Sequence, residues 1–267
     1  MKESTRHVCT QGVVLRYTNF KEADRMLTLF SPDRGKISVL ARGCRKQNSR
    51  LLSATELFTY GEYTLFKRGD FHIMTGANIH DSFYEIRNDL DKLIYGSYIL
   101  DLTKEVVNPE QEDSHLFFML LQSLSYLCYS ALNPEDLVHV FEIKLMDYLG
   151  YRPILDACII CGRKLESVPG PKGSISFDVR QGGLICRSCP RGEGKVYNIN
   201  LGTIKTMEFI LDMDLKGLNI LKIPSAINKE LDKILWAYTE ERLGKRLKTR
   251  QFIEDFYRKM EINSRNN

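Results

Sequence analysis

The sequence predicts an α+β chain: an N-terminal five-stranded OB-like β-barrel over residues 1–80, then a mainly helical domain over 81–267, with an inserted four-cysteine zinc site at about 157–196. Three observations carry this. The first eighty residues break into short runs rich in β-branched and aromatic side chains, with no helix-length segment between most of them. From Asp81 onward apolar residues recur at three-and-four spacing. Around 157–196 both periodicities stop, and Cys, Gly and Pro take over.

The predicted strands are Gly12–Tyr17, Arg25–Phe30, Lys36–Ala41, Glu56–Phe66 and Phe71–Ala77. Between the second and third, Ser31-Pro32-Asp33-Arg34-Gly35 is a turn by composition: Pro fixes φ and Gly permits positive φ. Five short strands in sequence suit a small closed sheet.

In the helical part, Leu90, Leu93, Ile94, Ser97, Tyr98 and Leu102 share one face, and Ser114–Ser130 forms a second segment. A third opens at Asn133-Pro134-Glu135-Asp136 and ends at Gly150. Its start combines a capping Asn, a Pro whose missing N–H costs nothing in the first turn, and two acids facing the positive end of the helix dipole. Helical pattern returns at Leu201–Leu211 and from Pro224-Ser225, with Ile227, Leu231, Ile234 and Tyr238 on one face. There is no internal repeat and no low-complexity segment.

With 267 residues, 43% hydrophobic and 27% charged, the chain has the composition of a globular protein able to bury one large or two ordinary cores. Met1 to Arg6 leads into no apolar run, and no uncharged apolar stretch reaches 18 residues. A cytoplasmic protein without membrane contact is therefore expected, its seven cysteines reduced or bound to metal. The net charge of +4 divides into +6 over residues 1–80, −9 over 81–150 and +7 over 151–267. Basic ends suit a polyanionic partner; ordinary variation of surface charge along a chain is the other reading.

Cys158-Ile159-Ile160-Cys161 and Cys186-Arg187-Ser188-Cys189 form two C-x₂-C knuckles separated by 24 residues. A two-residue gap lets both thiolates of a knuckle reach one tetrahedral ion at ~2.3 Å, and two such pairs complete a zinc site. The alternative is a buried pair of thiols beside a redox-active pair. The intervening length is placed in Pro169-Gly170-Pro171-Lys172-Gly173, and Gly162 is expected to turn backbone amides toward sulfur. Arg163, Lys164, Arg187 and Arg191 offset the charge of four thiolates. Four sulfurs leave no open coordination position, so one structural Zn²⁺ is expected, not a hydrolytic one. Cys9, Cys44 and Cys128 lack such spacing, and Cys128 belongs to an apolar helix.

No enzyme is expected. The sequence contains no phosphate-binding G-x-x-x-x-G-K-[ST], no G-x-S-x-G and no H-E-x-x-H. His7, His72, His80, His115 and His139 are scattered and read as surface or hydrogen-bonded core histidines. Asp81, Glu85, Asp89 and Asp91 read as the solvated face of a helix.

Two basic segments remain. Arg42-Gly43-Cys44-Arg45-Lys46-Gln47-Asn48-Ser49-Arg50 follows a predicted strand and has no apolar periodicity, so it is a loop. Beside a sheet rich in Tyr and Phe, its charges suit phosphates and the rings suit stacked bases of a single strand. Otherwise the rings belong to the barrel core and the loop is simply solvated. In Arg242 to Phe252, Arg242 and Arg246 share a helical face, as do Lys245 and Lys248. This is either a solvated helix rim or a binding face.

Lys144 to Gly162, reading Lys-Leu-Met-Asp-Tyr-Leu-Gly-Tyr-Arg-Pro-Ile-Leu-Asp-Ala-Cys-Ile-Ile-Cys-Gly, resembles the central signature of the RecO family of recombination mediators. Glu22 to Ser31 with Gly35-Lys36 resembles that family's opening strands, the Arg42–Arg50 loop its basic segment, and Leu243 to Phe252 its C-terminal element. The resemblance implies an OB-fold, a helical domain carrying the zinc, and a protein that binds single- and double-stranded DNA and anneals complementary strands. It also implies that, with RecR, the protein helps RecA load onto DNA coated by single-stranded-DNA-binding protein. DNA contacts are then expected at Lys36, Arg42, Arg45, Lys46 and Arg50. Contacts with the acidic C-terminal tail of single-stranded-DNA-binding protein are expected at Lys245, Arg246, Lys248 and Arg250. The rival expectation is a zinc-stabilised adaptor or transcription-associated protein whose barrel binds protein.

Overall fold

The computed structural model describes residues 7–164 and 175–265. Met1–Arg6 and the segment Pro169–Gly173 fall outside these described residues. Five strands make the N-terminal sheet: β1 (His7–Phe20), β2 (Asp24–Ser31), β3 (Gly35–Ala41), β4 (Tyr60–Arg68) and β5 (Phe71–Asp81). They close in the order β1-β2-β3-β5-β4. Neighbours are antiparallel except β3 and β5, which run parallel through Val39–His72 and Leu40–Ile73. The expected five-stranded barrel is thus present.

β1, at 14 residues, is longer than expected because it serves two neighbours. Its first half pairs with β4 and its second half with β2, and a bulge between Val14 and Arg16 bends it between them. Glu56–Thr59, expected to open the fourth strand, instead follows a short 3₁₀ turn at Ser53–Thr55. Alternate residues point inward, so Val14, Leu27, Leu29, Ile37, Val39, Tyr63, Leu65 and Met74 fill the barrel. Gly61 is required by close approach: a Cβ there would lie 2.6 Å from the Asn78 carbonyl oxygen on β5.

Three helices follow: α1 (Tyr84–Asn88), α2 (Leu90–Val106) and α3 (Ser114–Tyr129). Asp89 caps α2 by accepting from the Lys92 N–H, and Asp113 caps α3 by accepting from the Leu116 N–H. The α2–α3 connection is tied to the β2–β3 turn: Lys36 N–H donates to the Asn108 carbonyl at 3.1 Å and Asp113 N–H to the Pro32 carbonyl at 2.9 Å. Phe117 of α3 meets Phe30 edge-on at 5.4 Å. The barrel and these helices consequently form one compact unit, residues 1–130, and 131–267 a second. The expected boundary near 80 marks where strands give way to helices, not where this unit ends.

In the second unit, α4 (Pro134–Tyr148) starts as its sequence indicates, with Asn133 Oδ1 accepting from the Glu135 N–H at 2.9 Å. The cysteine-rich part contains a sheet that its sequence did not announce. Strands β6 (Ile154–Cys158), β7 (Ile175–Asp178), β8 (Gly183–Ile185) and β9 (Val196–Ile199) lie in the order β6-β8-β7-β9. Strands of three to five residues are too short to display alternation. The helices α5 (Leu201–Asp212), α6 (Ser225–Leu243) and α7 (Lys248–Arg265) complete the unit. Tyr238 of α6 binds α6 to this sheet: its ring meets Phe177 edge-on at 5.4 Å, and its hydroxyl donates to the Tyr151 carbonyl at 2.8 Å.

Candidate metal centre and nucleic-acid interface

β6 delivers Cys158 at its last residue, and β8 leads straight into Cys186. Because β6 and β8 are hydrogen-bonded neighbours, the two knuckles meet at one end of the small sheet. Each knuckle closes a tight turn: Gly162 N–H donates to the Cys158 carbonyl at 2.8 Å, and Cys189 N–H to the Cys186 carbonyl at 3.1 Å. Gly162 sits at φ +69°, where a side chain is disfavoured. Its own amide closes the turn, and the amides of Ile160 and Cys161 within that turn face Cys158 Sγ as expected, joined by Cys186 N–H, which donates to the same sulfur at 3.4 Å.

The four sulfurs lie within 4.8 Å of one another. Cys161 Sγ is 3.8 Å from Cys186 Sγ, which is 3.6 Å from Cys189 Sγ. Four sulfurs at ~2.3 Å around a tetrahedral ion stand ~3.8 Å apart, so the donor set fits such an ion. Burial pushes the Cys158 thiol up, but the backbone amides of Cys186, Cys161 and Ile160 outweigh it and bring it down to about 6. This favours the thiolate that a metal requires. Hydrogen bonding to the Cys161 sulfur, with Cys186 and Cys158 beyond it, holds the Cys189 thiol up at about 12. Crowded sulfurs resist ionising together unless a cation sits among them. Cys158 and Cys186 are buried against Ile159 and Ile185, whereas Cys161 is exposed. Arg163, Lys164, Arg187 and Arg191 are all exposed, the last donating to Asn198 Oδ1. Cys44 and Cys128 are buried outside this site, and Cys9 is exposed.

The basic loop lies at one end of the barrel. Cys44 is pinned in the barrel core, with the chain turning on either side of it: Gly43 takes φ +62° and Lys46 N–H donates to the Gly43 carbonyl at 3.2 Å. Arg42, Arg45, Lys46 and Arg50 are left exposed. Lys36 stands apart from them. It is at the start of β3 and the loop follows its end, about 20 Å away at strand rise. Its Nζ donates to the Lys104 carbonyl at 2.9 Å.

Two residues that the sequence reading passed over adjoin the loop. The β1–β2 turn is fastened to it: Arg45 N–H donates to the Ala23 carbonyl at 3.0 Å, Arg45 Nη1 to the Glu22 carbonyl, and Gly43 N–H to Asp24 Oδ1. At that turn Phe20 is 42% exposed, with Lys21 Nζ 5.6 Å from its ring centroid. An aromatic–lysine pair at a hairpin tip was the available signal. Of the other barrel rings, Phe30, Phe58 and Tyr63 are fully buried and belong to the core, whereas Tyr17, Tyr60, Phe66 and Phe71 are half-buried.

The C-terminal basic segment is not one helical face. α6 ends at Leu243, Gly244 reverses the chain at φ +65°, and α7 begins at Lys248. The pairing of Arg242 with Arg246, and of Lys245 with Lys248, along a continuous helix is therefore incorrect; the glycine in the left-handed region ends the helix between them. Lys245, Arg246 and Lys248 are exposed. Arg250 is not a surface residue: it is 3% exposed, ion-paired with Asp232, and sits 5.3 Å from the Trp236 ring centroid. Arg246 pairs with Glu240 at 2.7 Å, Leu247 is buried, and Phe252 is 54% exposed. Among the described residues no helix is long and apolar enough to cross a membrane.

A closed five-stranded barrel of this strand order, followed by a helical region whose four clustered cysteines could hold a metal ion, defines an OB-type protein. Residues 5–83 match the family model described as Recombination protein O N terminal, and residues 87–251 match Recombination protein O C terminal. The chain belongs to the RecO family, a family of recombination mediators and not of enzymes. It is 34% identical to the DNA repair protein RecO of Acetivibrio thermocellus, over 92% of this chain and 95% of that one. It is 31% identical to that of Halalkalibacterium halodurans (91% and 93% covered) and 32% identical to that of Symbiobacterium thermophilum (91% and 95% covered). The domain models part between 83 and 87, near the strand-to-helix change.

Proposed function

We propose that this protein binds DNA through the loop end of its barrel, anneals complementary single strands and, together with RecR, helps RecA load onto DNA coated by single-stranded-DNA-binding protein. The observation that carries this reading is the cluster of exposed Arg42, Arg45, Lys46 and Arg50 on a loop anchored by Cys44 and fastened to the turn bearing Phe20. Cations follow the phosphates while an exposed ring stacks a base, and no edge-reading element is needed. Annealing follows from the same physics, because cationic side chains screen phosphate repulsion between two strands and leave the base edges open. Lys36 joins as a separate contact at the other end of β3.

The DNA function is assigned to residues 1–80, and the remainder carries metal and partner sites. One Zn²⁺ per chain is held by Cys158, Cys161, Cys186 and Cys189; its chemistry is that of a closed structural cross-link. Lys245, Arg246 and Lys248, with exposed Phe252, receive the acidic C-terminal tail of single-stranded-DNA-binding protein. Arg250 is withdrawn from that set by its burial. Acting on DNA and with RecA, the protein works in the cytoplasm at the nucleoid. The deciding experiment follows annealing of complementary fluorescent oligonucleotides with the wild-type chain and with Arg45→Ala, Lys46→Ala. Rapid annealing lost in the double variant is expected. No annealing by the wild type, with barrel-dependent capture of a protein partner instead, favours the adaptor reading.

A further inference from the structure

We propose that Glu135, His139 and Asp232 form a second metal site, for one divalent transition-metal ion of the zinc class, cross-linking α4 to α6 independently of the four cysteines. Glu135 and His139 lie one turn apart on α4, and Asp232 comes from α6. Their ligand atoms lie within 4.8 Å of one another. His139 is 1% exposed, and its Nε2 is buried without a hydrogen-bond partner.

The hydrogen bonds around this histidine determine which nitrogen is available. Asn228 Nδ2 donates to Asp136 Oδ1 at 2.7 Å and toward the Ile223 carbonyl at 3.4 Å, so Asn228 Oδ1 is the acceptor facing His139 Nδ1 at 3.0 Å. Nδ1 must then carry a proton and donate it. Burial pulls the His139 pKa down, but Asp232, Glu142 and Glu135 outweigh it and push it up. Without a metal, Nε2 therefore holds a proton toward Asp232 Oδ1, 3.8 Å away, and a bound metal displaces that proton to take the Nε2 lone pair. A buried imidazole nitrogen facing a carboxylate needs a cation between them, and a proton or a metal ion fills that place. A ligating histidine characteristically donates its second ring N–H to a fixed acceptor, and a ligating carboxylate is itself hydrogen-bonded. Asn228 fills the first role and Arg250, ion-paired to Asp232, the second.

Charge points the same way. Glu135, Asp136, Glu142 and Asp232 gather about His139, and Arg250 faces Asp232 and Glu135. Glu135 and Asp232 bring carboxylate charge to the place a divalent ion would take. Mixed carboxylate and imidazole donors suit zinc, cobalt or manganese. Tetrahedral ligands at ~2.0–2.1 Å stand ~3.4 Å apart, and the three atoms lie within 4.8 Å of one another. A solvent molecule completes the shell, since both carboxylate residues are only partly buried.

The test uses the full chain with its thiolate-bound metal in place, stripped of loosely held ions and dialysed against Co²⁺. One further equivalent is expected, showing weak visible absorption without the strong near-ultraviolet bands of cobalt–thiolate bonds. Glu135→Gln, the mildest change, should weaken it by ~100-fold or more, beyond the 10–100-fold typical of losing an outer-shell partner. On the wild-type chain, Co²⁺ should broaden the ring ¹⁵N resonances of His139 before those of the other four histidines; this readout does not depend on a variant that folds. Dialysis that stops at the thiolate equivalent overturns the proposal. So does an added equivalent that leaves the His139 ring untouched, or one that Glu135→Gln binds with wild-type affinity.

Discussion

Replacing Arg45 and Lys46 by Ala isolates the electrostatic part of DNA binding. The loop's shape does not rest on these two side chains: Cys44 anchors it in the core, and the bonds from Arg45 N–H to Ala23 and from Lys46 N–H to Gly43 are made by backbone. Alanine retains all of these. What disappears is the exposed bond from Arg45 Nη1 to the Glu22 carbonyl and two exposed cations, and with the cations the counterions they displace from a single strand. Each such contact contributes about 0.7 to the slope of log affinity against log salt, so the slope should flatten by about 1.4. At 50 mM salt the counterion release of two contacts amounts to about 1.8 decades, roughly 60-fold in affinity; at 200 mM it shrinks to about one decade. The assay is fluorescence anisotropy of labelled single strands of several sequences across that range, with annealing rates measured beside it. All sequences should lose affinity alike. An unchanged slope with an unchanged annealing rate would refute the assignment of this loop, and a loss confined to one sequence would indicate base readout instead.

Cys161→Ser should lose the metal and lower the thermal midpoint of the helical region, because metal binding is also folding free energy; elemental analysis and circular dichroism check this, and near-zero zinc in the metal-replete wild type would sink it. Lys245→Glu with Arg246→Glu should weaken a synthetic acidic tail peptide ending in an aromatic residue by about tenfold or more, ~1.4 kcal/mol, by calorimetric titration; unchanged binding would move the partner site elsewhere. Burial pushes the Asp33 carboxyl up, but hydrogen bonds from the Ser31 and Thr10 hydroxyls outweigh it and hold it below the usual range. A depressed carboxylate gives stability that is present above its ordinary pKa of ~3.9 and lost as pH falls through the lowered value. Asp33→Asn should therefore flatten the acid limb of a urea-midpoint profile below about pH 4.

The cysteine knuckles, the cap at Asn133-Pro134 and the turn at Ser31–Gly35 were legible in the sequence because each is local: a few consecutive residues contain both the signal and its cause. The sequence by itself therefore determined the succession of barrel strands and helices, the paired cysteine knuckles and the family signature. Tertiary structure decided what depends on residues far apart in the chain. Closure of the barrel rests on the parallel β3–β5 pairing, which no local pattern encodes. Lys36 and the loop are near in sequence yet divided by the length of a strand, while Phe20 and Arg45, 25 positions apart, end up on joined turns. Arg250 reads as surface charge until Asp232 and Trp236 enclose it, and His139 reads as an ordinary core histidine until Asn228 and Asp232 arrive from α6. A side chain's type and neighbours in sequence state what it can do; its environment, set by segments that meet only on folding, states what it does.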